Sequence, residues 1–289
     1  MARVADLIRD MPPACRHVID YPWRLSSPAI NEGLDAVYWV NAGGQVVGFA
    51  AWQLYWAALD VYIAPGPEAR VVEGELFAWA DGRFRERDAE RGRPLPYAAE
   101  FRDDDLERRR LVMAHGFLLN EHESYVQLWH PLTDLAPIPT PPLGFALRPL
   151  RGEAEGAAYA EAHRAAFESD SMTSAWRTRA LRAPQYHSDL DLVISAPDGS
   201  IAAFCVGWYE PARRVAQIEP LGVHPRFRRL GLARILLLEM LRRFSARGVE
   251  SAIVETDLER TAARRAYESV GFRPIHTIVR LEKWADPTR

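Results

Sequence analysis

The stretch from Val223 to Leu237, VHPRFRRLGLARILL, combines an arginine-rich turn with the start of an apolar helix. A strand is predicted to end at Pro225, and Gly231 precedes the helix. The amides of a helix's first turn have no acceptor inside the helix, and they point outward at the positive end of the macrodipole. Gly231 would let a phosphate approach the backbone closely, and Ala233 would leave the next turn unobstructed. The stretch therefore predicts a pyrophosphate site.

The spacing Arg228-x-x-Gly231-x-Ala233 matches the signature Q/R-x-x-G-x-G/A. With the apolar helix that follows and the downstream AYESVGF, it resembles the GNAT superfamily of N-acetyltransferases, whose loop holds the pyrophosphate of acetyl-coenzyme A. The resemblance covers Leu143 to Trp284. An ordinary glycine turn before a helix is the alternative when Gly231 is considered alone.

The resemblance implies acetyl-CoA as cosubstrate and no metal. Backbone groups around Leu221 to Val223 would pair with the pantetheine arm and polarise the thioester carbonyl. The residues implied to bind the coenzyme are Leu221, Gly222, Val223, Arg228, Arg229, Leu230, Gly231, Leu232, Ala233, Arg234 and Thr256. Many relatives also carry an asparagine seven residues before a tyrosine, where this chain has Arg260. Thr256, Thr261 and Arg260 are the candidates to replace it.

Two residues are predicted to be catalytic. The resemblance places the hydroxyl of Tyr267 near the coenzyme sulfur, where a phenol would protonate the departing thiolate. Glu219 is a carboxylate on a mostly apolar strand, and in many relatives an acidic residue there is the general base. Substrate binding and a structural ion pair remain alternatives for Glu219, as packing in a helix does for Tyr267. Strand alternation predicts Glu219, Leu221 and Val223 on one face and Ile218, Pro220 and Gly222 on the other.

The acceptor side has weaker signals. The segment 167–187 occupies the position at which relatives cover the acceptor with a helix–loop–helix. The candidate substrate-binding residues are Asp170, Trp176, Trp208 and Tyr209, with Tyr186 as a further side chain that could line the pocket, and a structural role is the alternative for each. The histidines are scattered without metal-ligand spacing.

The chain divides at the proline-rich stretch PLTDLAPIPTPPLGF, from Pro131 to Phe145, because proline fixes φ and removes backbone donors. Each half then has the same order: hairpin, strand, helix, strand, helix, strand. Gly116-Phe117 and Gly271-Phe272 lie 155 residues apart (271 minus 116), which indicates a duplicated domain. We predict an α/β (α+β) fold with two tandem GNAT-like domains, each a mixed, mostly antiparallel sheet flanked by helices. Residues 1–132 form a degenerate N-terminal domain, 133–143 a linker, and 144–289 the catalytic domain.

The first half lacks the residues that carry chemistry in the second. Aligning Pro65 with Pro225 places Glu68 opposite Arg228 and Val71 opposite Gly231. Counting back from each Gly-Phe pair places Val112 opposite Tyr267. The resemblance is to tandem GNAT proteins with a layout like that of the mycothiol synthases, in which the C-terminal domain is active. The first half is predicted to shape or support the molecule without chemistry of its own.

Length and composition exclude several classes. The 289 residues suit two domains, and the formal charge of −3 argues against a dedicated nucleic-acid binder. Cys15 and Cys205 cannot form a disulfide scaffold, and no apolar run is long enough for a membrane span. We expect a cytoplasmic monomer or homodimer with no nucleic-acid or membrane partner.

The sequence thus predicts an acetyl-CoA-dependent N-acetyltransferase that acts on a primary amine of a small molecule by direct attack on the thioester. A catalytically silent acyl-CoA-binding or regulatory protein is the alternative, since it would share the same loop.

Overall fold

The structure is a computed structural model that describes residues 2–11, 21–28, 35–53, 57–92, 95–119 and 125–284. Cys15 lies outside the described residues, and Cys205 is a buried free thiol. Among the described residues, no helix combines the length and the apolar composition needed to cross a membrane.

From each hairpin onward, the described helices and strands follow the predicted order, and further helices precede each hairpin. The helices are α1 (Ala2–Asp10), α2 (Tyr21–Leu25), α3 (Ala69–Arg91), α4 (Leu106–Ala114), α5 (Gly156–Phe167), α6 (Ser174–Leu181), α7 (Leu232–Ala246) and α8 (Thr261–Glu268). The strands are β1 (Ala36–Val40), β2 (Val46–Gln53), β3 (Ala58–Ile63), β4 (Tyr97–Arg102), β5 (Leu118–Leu119), β6 (Tyr125–His130), β7 (Ala146–Pro149), β8 (Asp191–Ser195), β9 (Ile201–Glu210), β10 (Val215–Val223), β11 (Ser251–Asp257) and β12 (Arg273–Lys283).

The chain forms two compact units whose composition crosses the two halves of the sequence. Unit 1 contains Met1–Tyr21, Ser27–Tyr125 and His276–Arg289, whereas unit 2 contains Pro22–Ser26 and Val126–Ile275. The linker predicted at residues 133–143 divides the sequence into two halves, and its role as a domain boundary stays a prediction. In the structure, most of β6 from the first half lies in unit 2, and most of β12 from the second half lies in unit 1. The exchange follows from pairing between strands distant in sequence, which local patterns do not reveal.

The sheet of unit 1 has the order β1, β2, β3, β4, β12, and β5 also pairs with β12. β3 and β4 are parallel to each other, and the other strand pairs β1–β2, β2–β3, β4–β12 and β5–β12 are antiparallel. The core of unit 1 is formed by apolar residues of the sheet, α3 and α4, among them Trp52, Phe77 and Phe117.

The sheet of unit 2 has the order β6, β11, β10, β9, β8, β7. A Cβ at Gly207 would meet Met240 and Phe244, so this face of β9 packs on α7. Phe204, three residues earlier on β9, faces the other way and contacts Tyr159 of α5. The sheet thus lies between α7 and α5, as the mixed, mostly antiparallel fold predicted from the sequence requires.

The repeated Gly-Phe corner is the same local structure in both units. In unit 1 the amide of Phe117 donates to Val112 O at 3.3 Å, and in unit 2 the amide of Phe272 donates to Tyr267 O at 3.3 Å. Each preceding glycine has a left-handed backbone, with φ of +85° at Gly116 and +106° at Gly271. Glycine adopts this conformation without a steric cost, so it ends the helix and turns the chain into the next strand.

Candidate active site

Two parallel strands at the centre of unit 2 pair at one end and separate at the other. β10 and β11 pair from Val215↔Ser251 to Gln217↔Ile253, whereas β10 continues to Val223 and β11 to Asp257. Backbone groups that face this gap have no strand partner there. The gap is therefore a groove that can accept an extended, amide-bearing ligand as an added strand.

Leu221 and Val223 direct their backbone groups into the gap. The amide of His224 donates to Ala202 O of β9 at 2.9 Å, so His224 and, two residues earlier, Gly222 face β9. Because alternate residues of a strand bond to opposite neighbours, Leu221 and Val223 face the side where β11 has separated.

A bulge in β10 lies beside the gap. Ile218 is opposite Gly207 and Leu221 is opposite Cys205, so three steps on β10 match two on β9. The predicted alternation of faces was wrong for this reason: Ile218 belongs to the core against α7, and Leu221 and Val223 pack on that same core. Gly222 faces Phe204, whose ring lies 2.2 Å from where a Cβ would be.

The loop after β10 has the shape of an anion site. Arg229 and Gly231 have left-handed φ values of +68° and +75°, and Leu230 between them does not. Such alternation turns successive amides toward one concave side. Gly231 is the N-cap of α7 and offers no side chain to the amides of the first turn, and a Cβ there would meet nothing within 4 Å. The amides of Leu232, Ala233 and Arg234 are thus available to a phosphate.

The predicted arginines differ in what they contact. Arg234 donates to Ser269 O and so ties the start of α7 to the end of α8. Arg228 donates to Ala166 O at 3.3 Å and lies 3.6 Å from Glu168. Arg226, an arginine of the same turn, pairs with Asp198 at 3.2 Å. The Arg229 side chain is exposed and has no partner among the residues that the structure describes. It can therefore bind a phosphate without breaking an existing contact.

The charge of Glu219 acts on the phenol of Tyr267. Tyr267 is 6% exposed, and its ring packs edge-on against Phe272. Burial and, next in size, the negative charge of Glu219 raise the pKa of Tyr267, so its phenol stays protonated at working pH. Glu219 is half-buried, and its carbonyl accepts from the indole nitrogen of Trp208 at 2.7 Å.

Thr256 and Arg260 lie on and after β11. Thr256 is 7% exposed on the strand that borders the gap. Arg260 is the exposed N-cap residue of α8, and its guanidinium lies 5.7 Å from the centre of the Phe167 ring. The positive charge of Arg260 also acts on Tyr267, where it opposes the rise in pKa.

The acceptor candidates divide into buried and accessible side chains. Trp176 is 1% exposed, its ring centre lies 5.3 Å from that of Trp23, and it donates to Ser26 Oγ at 3.1 Å, so it packs in the interior. Trp208 is equally buried. Asp170 is exposed after α5, and Tyr209 is half-buried with its ring 4.9 Å from that of His187.

The sequence did not predict a buried polar cluster beside α5, of which it singled out Tyr186 alone, as a pocket residue. Arg177 and Asp191 are both fully buried and form an ion pair, and Tyr186 donates to the same carboxylate at 2.8 Å. The Arg177 guanidinium lies 3.8 Å above the ring of Tyr159. Asp191 is opposite Val206, which lies across from the bulge that holds Glu219. The cluster anchors α6 to β8. No sequence spacing signalled it, because its members come from α5, α6, β8 and the segment between α6 and β8.

Comparison with known proteins agrees with this geometry. Residues 157–272 match the family model "Acetyltransferase (GNAT) family", a span that includes the gap, the loop, Glu219 and Tyr267. This part of the chain is therefore a domain of the GNAT family.

Curated relatives cover the same part of the chain. A mycothiol acetyltransferase from Kineococcus radiotolerans is 34% identical over 152 residues, which is 51% of this chain and 48% of the relative. A mycothiol acetyltransferase from Thermomonospora curvata is 30% identical over 152 residues, 51% of this chain and 50% of the relative. The chain thus matches about half the length of these curated relatives.

Solved structures extend the likeness of fold to the whole chain. A tandem GNAT protein from the clavulanic acid biosynthesis pathway superimposes with a TM-score of 0.65 at 18% identity. The match spans 100% of this chain and 95% of that protein. A GNAT-type N-acetyltransferase from Sphaerobacter thermophilus has a TM-score of 0.64 at 23% identity, over 88% of this chain and 82% of its own. The tandem architecture predicted from the sequence is confirmed at the level of fold.

Proposed function

We propose that the chain is an N-acetyltransferase that uses acetyl-CoA and whose chemistry resides in unit 2. The observation that carries the proposal is one continuous arrangement: the gap between β10 and β11, the left-handed loop that follows β10, and Tyr267 with Glu219 beside them. The gap takes the pantetheine arm on the backbone of Leu221 and Val223. The first-turn amides of α7, with Arg229, take the pyrophosphate.

The residues then have the following roles in transfer. Glu219, directly or through one water, takes a proton from the acceptor's ammonium group, and the free amine attacks the thioester carbon. The amide of Leu221 or Val223 in the gap stabilises the oxyanion of the tetrahedral intermediate. The C–S bond then breaks, and Tyr267 gives its proton to the thiolate of coenzyme A. The nitrogen of the new amide loses its second proton to water, and Tyr267 is reprotonated from water.

The proposed acceptor is a primary amine of a small molecule. The acceptor side near β9 offers Tyr209 and Asp170, whereas Trp176 and Trp208 support the pocket from the interior. Unit 1 has Glu68, Val71 and Val112 at the positions of Arg228, Gly231 and Tyr267, so we assign it no transfer chemistry.

The proposal is tested by measuring coenzyme A release over a panel of amines. Tyr267→Phe and Glu219→Gln should each lower kcat about 10²-fold, the usual contribution of a positioned acid or base. Tyr38→Phe, at an exposed position in unit 1, is the matched control and should leave turnover unchanged.

Two outcomes would count against the assignment. Equal turnover of both variants and the parent would remove Tyr267 and Glu219 from the chemistry. Saturable acetyl-CoA binding with no release of coenzyme A over the whole amine panel would favour a silent acyl-CoA-binding protein.

A further inference from the structure

Unit 1 contains a second gap of the same construction. β3 and β4 are parallel and pair at Ala58↔Ala98, after which β3 continues to Ile63 without pairing to β4. The amide of Ala64 donates to Val47 O of β2 at 2.8 Å, and Ile63 is opposite Gly48. By strand alternation, Val61 and Ile63 direct their backbone groups into the gap.

The two gaps correspond residue by residue. With Pro65 aligned to Pro225, Val61 takes the position of Leu221, and Ala64 takes that of His224. The amides of Ala64 and His224 each donate to the antiparallel neighbour of their own strand. The carbonyl of Val61 is therefore the counterpart of the Leu221 carbonyl that faces the gap in unit 2.

In unit 1 this carbonyl already has a partner. Arg108 of α4 donates from Nη1 to Val61 O at 2.8 Å. Its Nε lies 3.4 Å from Asp105 Oδ2, and its guanidinium lies 5.7 Å from the centre of the Tyr62 ring. Only 15% of the Arg108 side chain is exposed. The guanidinium is thus held in the gap by contacts on several sides.

The equivalent residue of unit 2 cannot do this. Arg108 lies eight residues before Gly116, and the residue eight before Gly271 is Ala263. Ala263 packs on the core and has no group that reaches the strand. The difference between a filled and an open gap therefore follows from one arginine.

We propose that Arg108 is a plug that closes a second pantetheine-type groove in unit 1. The inference rests on the proposed function, because that assigns the open gap of unit 2 to the pantetheine arm. The class of ligand is an extended, uncharged chain with amide groups, which would add to β3 as a strand. Glu68 stands where Arg228 stands in unit 2, so the groove of unit 1 selects against a pyrophosphate.

Hydrogen exchange of the full chain, with D-pantetheine and coenzyme A as probes, tests the plug. In the parent, pantetheine should leave exchange in residues 58–64 unchanged. In Arg108→Ala it should slow exchange there about tenfold when present at about ten times its dissociation constant. Arg108→Met keeps most of the stem, lacks the donors and should respond in the same direction. Arg110→Ala, at an exposed position of the same helix, is the control and should behave as the parent.

Protection of residues 58–64 by pantetheine in the parent would overturn the proposal, because the groove would then be open. It would also be overturned if neither Arg108 variant gains protection, or if both unfold, since Arg108 would then be a structural tie. Coenzyme A should protect residues 219–234 in every chain. If coenzyme A did not protect residues 219–234, that would count against the proposed function. Protection of residues 58–64 by pantetheine tests the plug independently.

Discussion

His163 lies among aromatic rings in the interior of unit 2, 4.6 Å from the ring of Phe167 and 5.6 Å from that of Phe204. Its Nδ1 is buried and has no hydrogen-bond partner among the described residues. Burial, helped by the charges of Arg177 and Arg164, lowers the pKa of His163 to about 3. The folded protein thus holds this imidazole neutral, whereas the unfolded chain protonates it near its ordinary pKa of about 6.5.

At the residue scale this predicts acid sensitivity with a defined sign. Below about pH 6.5 the unfolded state binds a proton at His163 that the folded state does not, so the free energy of unfolding falls as pH falls. The loss from this group is roughly 1.4 kcal/mol per pH unit between about pH 6.5 and about pH 3.

Urea titrations of the parent and His163→Phe across this range measure the effect. Other groups titrate in both chains, among them His130, whose pKa is also lowered by burial, so the difference between the chains isolates His163. The parent should lose more stability than the variant as the pH falls. Parallel pH dependences would contradict the assignment.

At the scale of elements, Gly222 lies beside the bulge of β10 and against the distal edge of the Phe204 ring. A Cβ at Gly222 would lie 2.2 Å from that ring, which is fully buried and cannot move freely. Gly222→Ala should therefore destabilise the protein by about 1–3 kcal/mol, the usual cost of overpacking. Phe204→Leu in the same chain should recover part of that loss, as measured by a double-mutant cycle in urea. Strictly additive losses would show that the two side chains do not compete for one space.

The same strand shows what the sequence could predict. The loop at Gly231 was predictable because a strand end, a glycine and an apolar helix are contiguous. The faces of β10 were not, because a bulge depends on the register with β9. The burial of Trp176 was equally hidden, since Trp23 and Ser26 reach it from more than a hundred residues away in the sequence.

At the scale of the whole molecule, each half of the sequence supplies a strand to the other half's unit. Residues 126–130 belong to unit 2 and residues 276–283 to unit 1. Local patterns gave the order of elements in each half, but long-range pairing decides where the first and last strands lie.

This exchange predicts the behaviour of a nicked chain. A site for a specific protease placed in the irregular stretch 136–142 would separate the two halves of the sequence. Because each fragment keeps a strand in the other's unit, the cleaved halves should elute together in size-exclusion chromatography under native conditions and separate in urea. Separation under native conditions would contradict the unit composition.

The central claim, that unit 2 binds acetyl-CoA at the loop before α7, is tested most directly by titration calorimetry on a matched pair of glycine variants. Gly231 and Gly248 flank α7 with φ values of +75° and +74°, and a Cβ at either would meet nothing within 4 Å. Alanine at either position should therefore cost a similar amount of stability, roughly 1 kcal/mol.

The parent and Gly248→Ala should bind acetyl-CoA with the same sub-millimolar affinity. Gly231→Ala should bind at least about tenfold more weakly, a loss of about 1.4 kcal/mol, because its methyl group occupies the approach of the pyrophosphate. Equal affinities in the two variants, or no saturable binding by the parent, would contradict the account.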